Sequence, residues 1–303
     1  MTTIGAVPAH PTRRPMFDHN ESLREALQRN VRDALMEDIG RGDWTAQLVP
    51  TGRRVTGRVL AKEAAVVCGR PWFDACVRAL DAQALLSWSV TEGQAVEAGT
   101  EVVRIEADAR ALLSAERPSL NFLQLLSGVA TVTRAYVDAI AGLSPNPRGC
   151  VVLDTRKTLP GLRQAQKYAV RTGGGSNQRM ALWDGILIKE NHITAAGGVT
   201  AALRAAQALQ AGVTIQIEVE RLAELDEALA AGATSVLLDD FTLADMHEAW
   251  RRNAGRALLE VSGGVDLAHI RDIARTGVDR ISSGKLTKDV RAVDLSMRVD
   301  PLT

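Results

Sequence analysis

From Cys150 onward the chain repeats one unit: a short apolar run, a polar break, then an amphipathic stretch. The runs are VVLD (151–154), GILIK (185–189), TIQIEVE (214–220), SVLLDD (235–240), ALLEVSGG (257–264) and DRISSG (279–284). Strands without alternation are buried on both faces, as in a parallel sheet covered by helices. The stretches between them, such as LAELDEALAA (222–231), carry apolar residues at three- and four-residue spacing and predict helices. Gly212, Gly232, Gly255 and Gly277 follow these stretches, where a left-handed residue ends a helix without steric cost to glycine.

The runs end in polar groups: Asp154-Thr155-Arg156-Lys157, Lys189-Glu190-Asn191-His192, Glu218, Asp239-Asp240, Ser262-Gly263-Gly264 and Ser282-Ser283-Gly284. In a barrel the carboxyl ends of the strands converge on one mouth, where active sites form. An open doubly wound sheet also uses its carboxyl edge, but spreads those ends along a crevice. Six runs between 116 and 285 fall short of the ~250 residues of a full eightfold barrel, so an α/β, incomplete α/β barrel is expected there.

A length of 303 residues suits two domains at ~150 residues each. Residues 1–115 predict an N-terminal α/β sandwich-like domain, completed by 286–303. Its parts are a helix from Glu21 to about Asp38, strand at 55–67, a helix at 71–80 and short strands within 86–109. EGQAVEAGTEVVRIEA resembles the barrel-sandwich modules that carry biotin or lipoate. Those modules need a lysine at a hairpin tip, and 86–109 contains none, so a structural use is expected and a carrier is the rival. A bridging helix over 116–140 would hold Arg117 at its start and Pro118 in its first turn, where a missing N–H costs little. Met1 to about Met16 reads as a loosely ordered arm.

Thirty-six Lys and Arg balance 36 Asp and Glu, so the basic excess of a nucleic-acid binder is missing. No apolar run approaches the ~18 residues of a membrane span, so no membrane partner is expected. Three cysteines without a CxxC pair fit a reducing cytosol, hence a cytoplasmic protein.

Against that neutral background Arg156, Lys157, Arg179 and Lys189, read as lying at or after strand ends, form a local cationic cluster with Arg117 nearby. Singly, each reads equally as a solvated surface charge. Together they point to a small polyanion, because the arginine fork matches carboxylate and the lysine charge suits phosphate. Glu218 and Asp239 end neighbouring strands and read either as neutralisers of those cations or as groups for Mg²⁺ and ribose hydroxyls. Ser262-Gly263-Gly264 and Ser283-Gly284-Lys285 follow the last two strands, where backbone N–H groups cradle phosphate in many barrels. Gly173-Gly174-Gly175 lacks a Walker pattern and reads as a flexible loop. His192 fits an acid–base role or a capping role.

DTRKTLPGLRQAQKYAVRTGGGSNQRMALWDGILIKENH (154–192) resembles the core of the quinolinate phosphoribosyltransferases, the carboxylating nicotinate-nucleotide diphosphorylases. ERPSLNFLQLLSGVAT (116–131), IEVE (217–220), LLDD (237–240) and EDIGRGDWTAQLVP (37–50) fit the same family. The resemblance implies a homodimer with sites at the subunit interface. It also implies a pentosyltransferase reaction of NAD biosynthesis: quinolinate and phosphoribosyl pyrophosphate, with Mg²⁺, give nicotinate mononucleotide, pyrophosphate and CO₂. By resemblance Arg117 would reach the neighbouring subunit's quinolinate. Arg156, Arg179 and Lys189 would hold its carboxylates, with Lys157 between base and donor and Thr155 also among the substrate-binding residues. Glu218 and Asp239 would meet ribose and metal, and Lys157, Lys189, Glu218 and Asp239 would be the catalytic set. Ser262 to Gly264 and Ser283 to Lys285 would cradle phosphate. The chain departs from many relatives in carrying Gln178 where they have His, and Lys285 and Lys288 fall where relatives vary. The rivals are a related phosphoribosyltransferase acting on another pyridine or base, and a Schiff-base barrel lyase using Lys157 or Lys189.

Overall fold

The computed structural model describes Phe17 and residues 19–301; the arm expected over Met1–Met16 lies outside the described residues. Helix α1 (Leu23–Ile39) starts at a capping box: the Glu25 N–H donates to the Ser22 hydroxyl, and the Ser22 N–H donates back to the Glu25 carboxylate. Then come β1 (Arg54–Ala61), β2 (Ala65–Val66), α2 (Arg70–Leu80), β3 (Leu85–Trp88), β4 (Ala95–Val96) and β5 (Glu101–Asp108). β2 and β4 form a two-stranded ribbon. The last strand, β12 (Leu295–Pro301), returns to pair antiparallel with β1, giving the sheet order β12-β1-β5-β3. The inner face of this sheet, α2 and the first half of the next helix enclose a core of Val59, Phe73, Val77, Val103, Ile105 and Leu112.

That next helix, α3 (Ala109–Ile140), begins seven residues before the expected start. The Asp108 carboxylate accepts from the Arg110 and Ala111 N–H groups and fixes the true start, so Pro118 lies in the helix interior rather than its first turn. An interior proline costs about 3 kcal/mol through its missing hydrogen bond. Burial of α3 in both cores offsets this: Leu112, Leu120 and Leu123 face the first core, and Leu126, Val129 and Ile140 the second.

The second unit alternates strand and helix: β6 (Val151–Leu153), α4 (Arg163–Thr172), β7 (Gly185–Ile188), α5 (Glu190–Ala196), α6 (Val199–Ala208), β8 (Thr214–Val219), α7 (Leu222–Ala230), β9 (Ser235–Asp239), α8 (Leu243–Asn253), β10 (Leu258–Ser262), α9 (Ile270–Arg275), β11 (Arg280–Ser282) and α10 (Lys285–Lys288). The six strands are parallel in the order β6-β11-β10-β9-β8-β7. The first two strands stand at opposite edges and do not pair, so the barrel is open between them. A strap, residues 176–184, enters this gap, and Ser176 makes an isolated parallel bridge to Leu153.

The triple glycine before the strap is a packing device rather than a flexible loop. A Cβ on Gly173 would come within 2.5 Å of the Ala130 carbonyl oxygen, and one on Gly175 within 2.8 Å of Thr133 Cγ2. Only glycine lets α4 and the strap lie this close to α3. Among the described residues no helix is long and apolar enough to cross a membrane.

Candidate active site

Strand β8 turns Ile217 and Val219 toward the covering helices, and alternation sends Gln216 and Glu218 to the barrel interior. On β9 the same rule places Asp239 inside, two residues beyond Leu237, the register partner of Glu218. Lys189 follows β7, and its Nζ reaches both Glu218 oxygens, at 3.3 and 3.1 Å. Glu218 is buried. That burial raises its pKa first; Lys189 lowers it and the charge of Asp239 raises it.

Ser262 stands opposite Asp239 in the β9–β10 register, and a Cβ on Gly263 would lie 3.2 Å from Asp239 Oδ1. The glycine turn therefore brings bare backbone against the carboxylate. At β11, Ser283 N–H donates to Leu153 O, joining this strand end to the start of the Thr155–Lys157 loop. Gly284 sits beneath that loop, where a Cβ would come within 3.1 Å of Lys157 Cδ and 3.4 Å of Thr155 Oγ1. The Ser283 hydroxyl donates to Val265 O, and Lys285 Nζ lies 3.6 Å from Asp266. The Ser283 hydroxyl is thus engaged within the fold, while the half-exposed Lys285 side chain leans toward Asp266 from α10, a single turn.

Arg179 departs from its expected place at a strand end. It lies on the strap before β7, where its Nη1 donates to Gly185 O. Its guanidinium is pushed below its usual range by burial and then by the charge of Arg156. Arg163 is shifted the same way by the same causes, which puts three guanidinium groups in one electrostatic neighbourhood. Arg156 Nε is buried without a hydrogen-bond partner among the described residues. Like charges held together around an unsatisfied donor form a receptor for an anion. Arg163 was not singled out by its position at the start of a helix, although it is the closing residue of DTRKTLPGLR.

Beneath the arginines lies an ion pair that the sequence did not suggest. The fully buried Lys167 donates through Nζ to Asp154 Oδ1 and to the Gln178 carbonyl, while Asp154 also accepts from Asn177 Nδ2 and Gln178 N–H. Burial pushes Asp154 up and Lys167 down, and each is countered by the charge of the other. His192 Nδ1 accepts from the Lys189 N–H at 3.0 Å, the capping geometry among its two expected roles. Arg117 is exposed on α3, and its ion pair among the described residues is with the adjacent Glu116. A cavity of about 990 Å³ enters from the amino ends of the strands, with Gln178, Arg179, Gln216, Glu260 and Arg280 in its lining. It shares Gln178 and Arg179 with the site but not Lys189, Glu218 or Asp239.

Residues 43–127 match the N-terminal domain of quinolinate phosphoribosyl transferase and residues 129–298 its C-terminal domain. The chain belongs to the quinolinate phosphoribosyltransferase family. It is 41% identical over 283 residues to the nicotinate-nucleotide pyrophosphorylase [carboxylating] of Mycobacterium leprae, covering 90% of this chain and 97% of that protein. It is 36% identical over 316 residues to quinolinate phosphoribosyltransferase [decarboxylating] 1b of Nicotiana tabacum, covering 97% and 84%. The solved nicotinate-nucleotide pyrophosphorylase of Francisella tularensis superposes with a TM-score of 0.86 at 40% identity, covering 93% of this chain and 98% of that one. The open six-stranded barrel and its appended antiparallel sheet are thus the architecture of a quinolinate phosphoribosyltransferase.

Proposed function

We propose that this chain transfers a phosphoribosyl group from phosphoribosyl pyrophosphate to quinolinate, releasing pyrophosphate and CO₂ and giving nicotinate mononucleotide. The observation that carries the reading is a site divided by charge. Arg156, Arg163 and Arg179 stand together with a buried donor unsatisfied, and Glu218 and Asp239 end neighbouring strands, with the Lys189 ammonium reaching Glu218. A dicarboxylate suits the first half and a cationic sugar transition state the second.

In this reading Thr155, Arg156, Arg179 and Lys189 bind the two carboxylates and aim the pyridine nitrogen at the anomeric carbon. The carbon–nitrogen bond forms as the bond to the pyrophosphate oxygen breaks, and the positive charge that develops on the sugar faces Glu218 and Asp239. The gain comes from positioning and from charges fixed beforehand, and no covalent enzyme intermediate is needed. Loss of the 2-carboxylate as CO₂ leaves its electron pair on the ring carbon, stabilised by the positive ring nitrogen. That carbon takes up a proton, for which Lys157 and Lys189 are the ammonium groups at hand. Backbone N–H groups of Ser262–Gly264 and Ser283–Lys285 receive phosphate.

Glu218 and Asp239 are hard oxygen donors on neighbouring strands, the kind of set Mg²⁺ accepts beside phosphate oxygens and water. Among the described residues no cluster of three or more His, Cys, Asp or Glu forms a fuller cage. Mg²⁺ held there would supply positive charge for the departing pyrophosphate. A homodimer in the cytoplasm, with Arg117 completing the site of the neighbouring subunit, belongs to the same proposal. The test supplies quinolinate, phosphoribosyl pyrophosphate and Mg²⁺ and measures CO₂ and nicotinate mononucleotide, with nicotinate run in parallel. Turnover of nicotinate in preference to quinolinate would overturn the reading.

A further inference from the structure

Gln178 is held at three points. Its N–H donates to Asp154 Oδ1, its carbonyl accepts from Lys167 Nζ, and its side-chain Nε2 donates 2.8 Å to Gln216 Oε1. Gln216 Nε2 donates in turn to Glu260 Oε2 at 2.9 Å. The chain of bonds runs from the strap to β8 and on to β10, passing over β9, which lies between those strands. Glu260 is 1% exposed, and its Oε1 has no hydrogen-bond partner among the described residues. A buried carboxyl with an idle oxygen is a poor choice for stability, since an apolar side chain of similar size avoids the desolvation cost.

Its value lies in direction. Burial raises the Glu260 pKa, while Gln216, Ser282 and the charge of Arg280 counter it. In its ionised form the carboxylate accepts hydrogen bonds and donates none. Gln216 therefore turns its NH₂ to Glu260 and its carbonyl to Gln178, and Gln178 turns its NH₂ inward. An end group that both donates and accepts would leave both amides two orientations each. With an ionised Glu260 at the end, the Gln178 amide has one, and its carbonyl oxygen and second N–H stay outside the chain of bonds, in a residue that lines the cavity next to Arg179.

We propose that Glu260, acting through Gln216, is a positioning residue that fixes the amide of Gln178 beside Arg179 and thereby tunes recognition of the dicarboxylate. This rests on the assignment of the Arg156, Arg163 and Arg179 cluster to quinolinate made above. The experiment measures KM for quinolinate and for phosphoribosyl pyrophosphate in Glu260→Leu, Gln216→Leu, Glu260→Gln, Gln178→Ala, Arg179→Ala and the Gln178→Ala/Glu260→Leu double variant. Glu260→Leu and Gln216→Leu should each raise KM for quinolinate about tenfold, the loss of roughly one oriented hydrogen bond. KM for phosphoribosyl pyrophosphate should stay within about twofold. Glu260→Gln, which keeps a carbonyl for Gln216, should recover part of the loss, and the double variant should be no worse than Gln178→Ala alone.

Equal increases in both KM values, additive effects in the double variant, or an unchanged KM for quinolinate would overturn the proposal. If Glu260→Leu does not fold, Gln216→Leu and its double with Gln178→Ala decide by the same criteria. If Gln178→Ala and Arg179→Ala also leave KM for quinolinate unchanged, the assignment of the arginine cluster to quinolinate is itself wrong. If those two raise it and the relay variants do not, the relay alone fails.

Discussion

Lys189 Nζ lies 3.1 Å from Glu218 Oε2, an exposed ammonium capping a buried carboxylate. Burial alone pushes the Glu218 pKa up, the neighbouring Asp239 adds to that, and Lys189 is the group that pulls it down. Lys189→Met should therefore raise the Glu218 pKa further. If the ionised form supports the cationic sugar, activity falls as pH drops through that pKa, so the acid limb of the kcat profile should move to higher pH. The profile is read with both substrates saturating, which removes the part of Lys189 spent on binding. An acid limb that stays in place or moves lower would contradict the coupling.

The arginine cluster makes a prediction about which ligand suffers. Arg156→Ala, Arg163→Ala and Arg179→Ala should weaken quinolinate binding about 10- to 100-fold each, the range for a hydrogen bond to a charged group. Phosphoribosyl pyrophosphate binding should change much less. Titration calorimetry with each ligand separates the two, and equal losses for both would refute the division of the site by charge. Arg163 is the sharper test, because its Nη2 also donates to the Arg156 carbonyl and its loss disturbs Arg156 indirectly.

Arg117 is 54% exposed at its side chain, with the adjacent Glu116 as its ion-pair partner among the described residues. If it serves the neighbouring subunit, inactive Arg117→Ala and inactive Lys157→Ala proteins should restore activity when mixed. Random exchange would regenerate one intact site in the mixed dimer, so recovery up to about a quarter of wild-type activity is the expected scale. No recovery after labelled subunits have been shown to exchange would rule out the shared site.

The strands and their polar ends were legible because a buried parallel strand is an unbroken apolar run, and the first polar residue marks its exit to the mouth. What escaped notice was long-range. Lys167 sits in an amphipathic helix where lysine ordinarily faces water, and nothing in its spacing announces a partner 13 residues back at Asp154. Glu260 was hidden inside an apolar run, and only the fold brings it to Gln216. The start of α3 was misread at Pro118 because proline favours first turns, whereas the capping Asp108 ends a strand and looks like part of it. Arg179 was misplaced because the strap has no regular period of its own.

The Asp154–Lys167 pair gives the strongest stability prediction. Both side chains are fully buried, so removing one partner strands the charge of the other, at a cost of about 3–5 kcal/mol. Lys167→Met and Asp154→Leu should each lower the urea midpoint by that amount of stability. The double variant Asp154→Leu/Lys167→Met should lose less than the sum of the two, since no charge is left unpaired. Its binding of quinolinate should still be poor, because Asp154 and Lys167 together hold both backbone groups of Gln178. Recovered stability with unrecovered quinolinate affinity is the outcome that separates a fold-holding pair from one that also aims the strap. Recovery of both together would reduce the pair to packing.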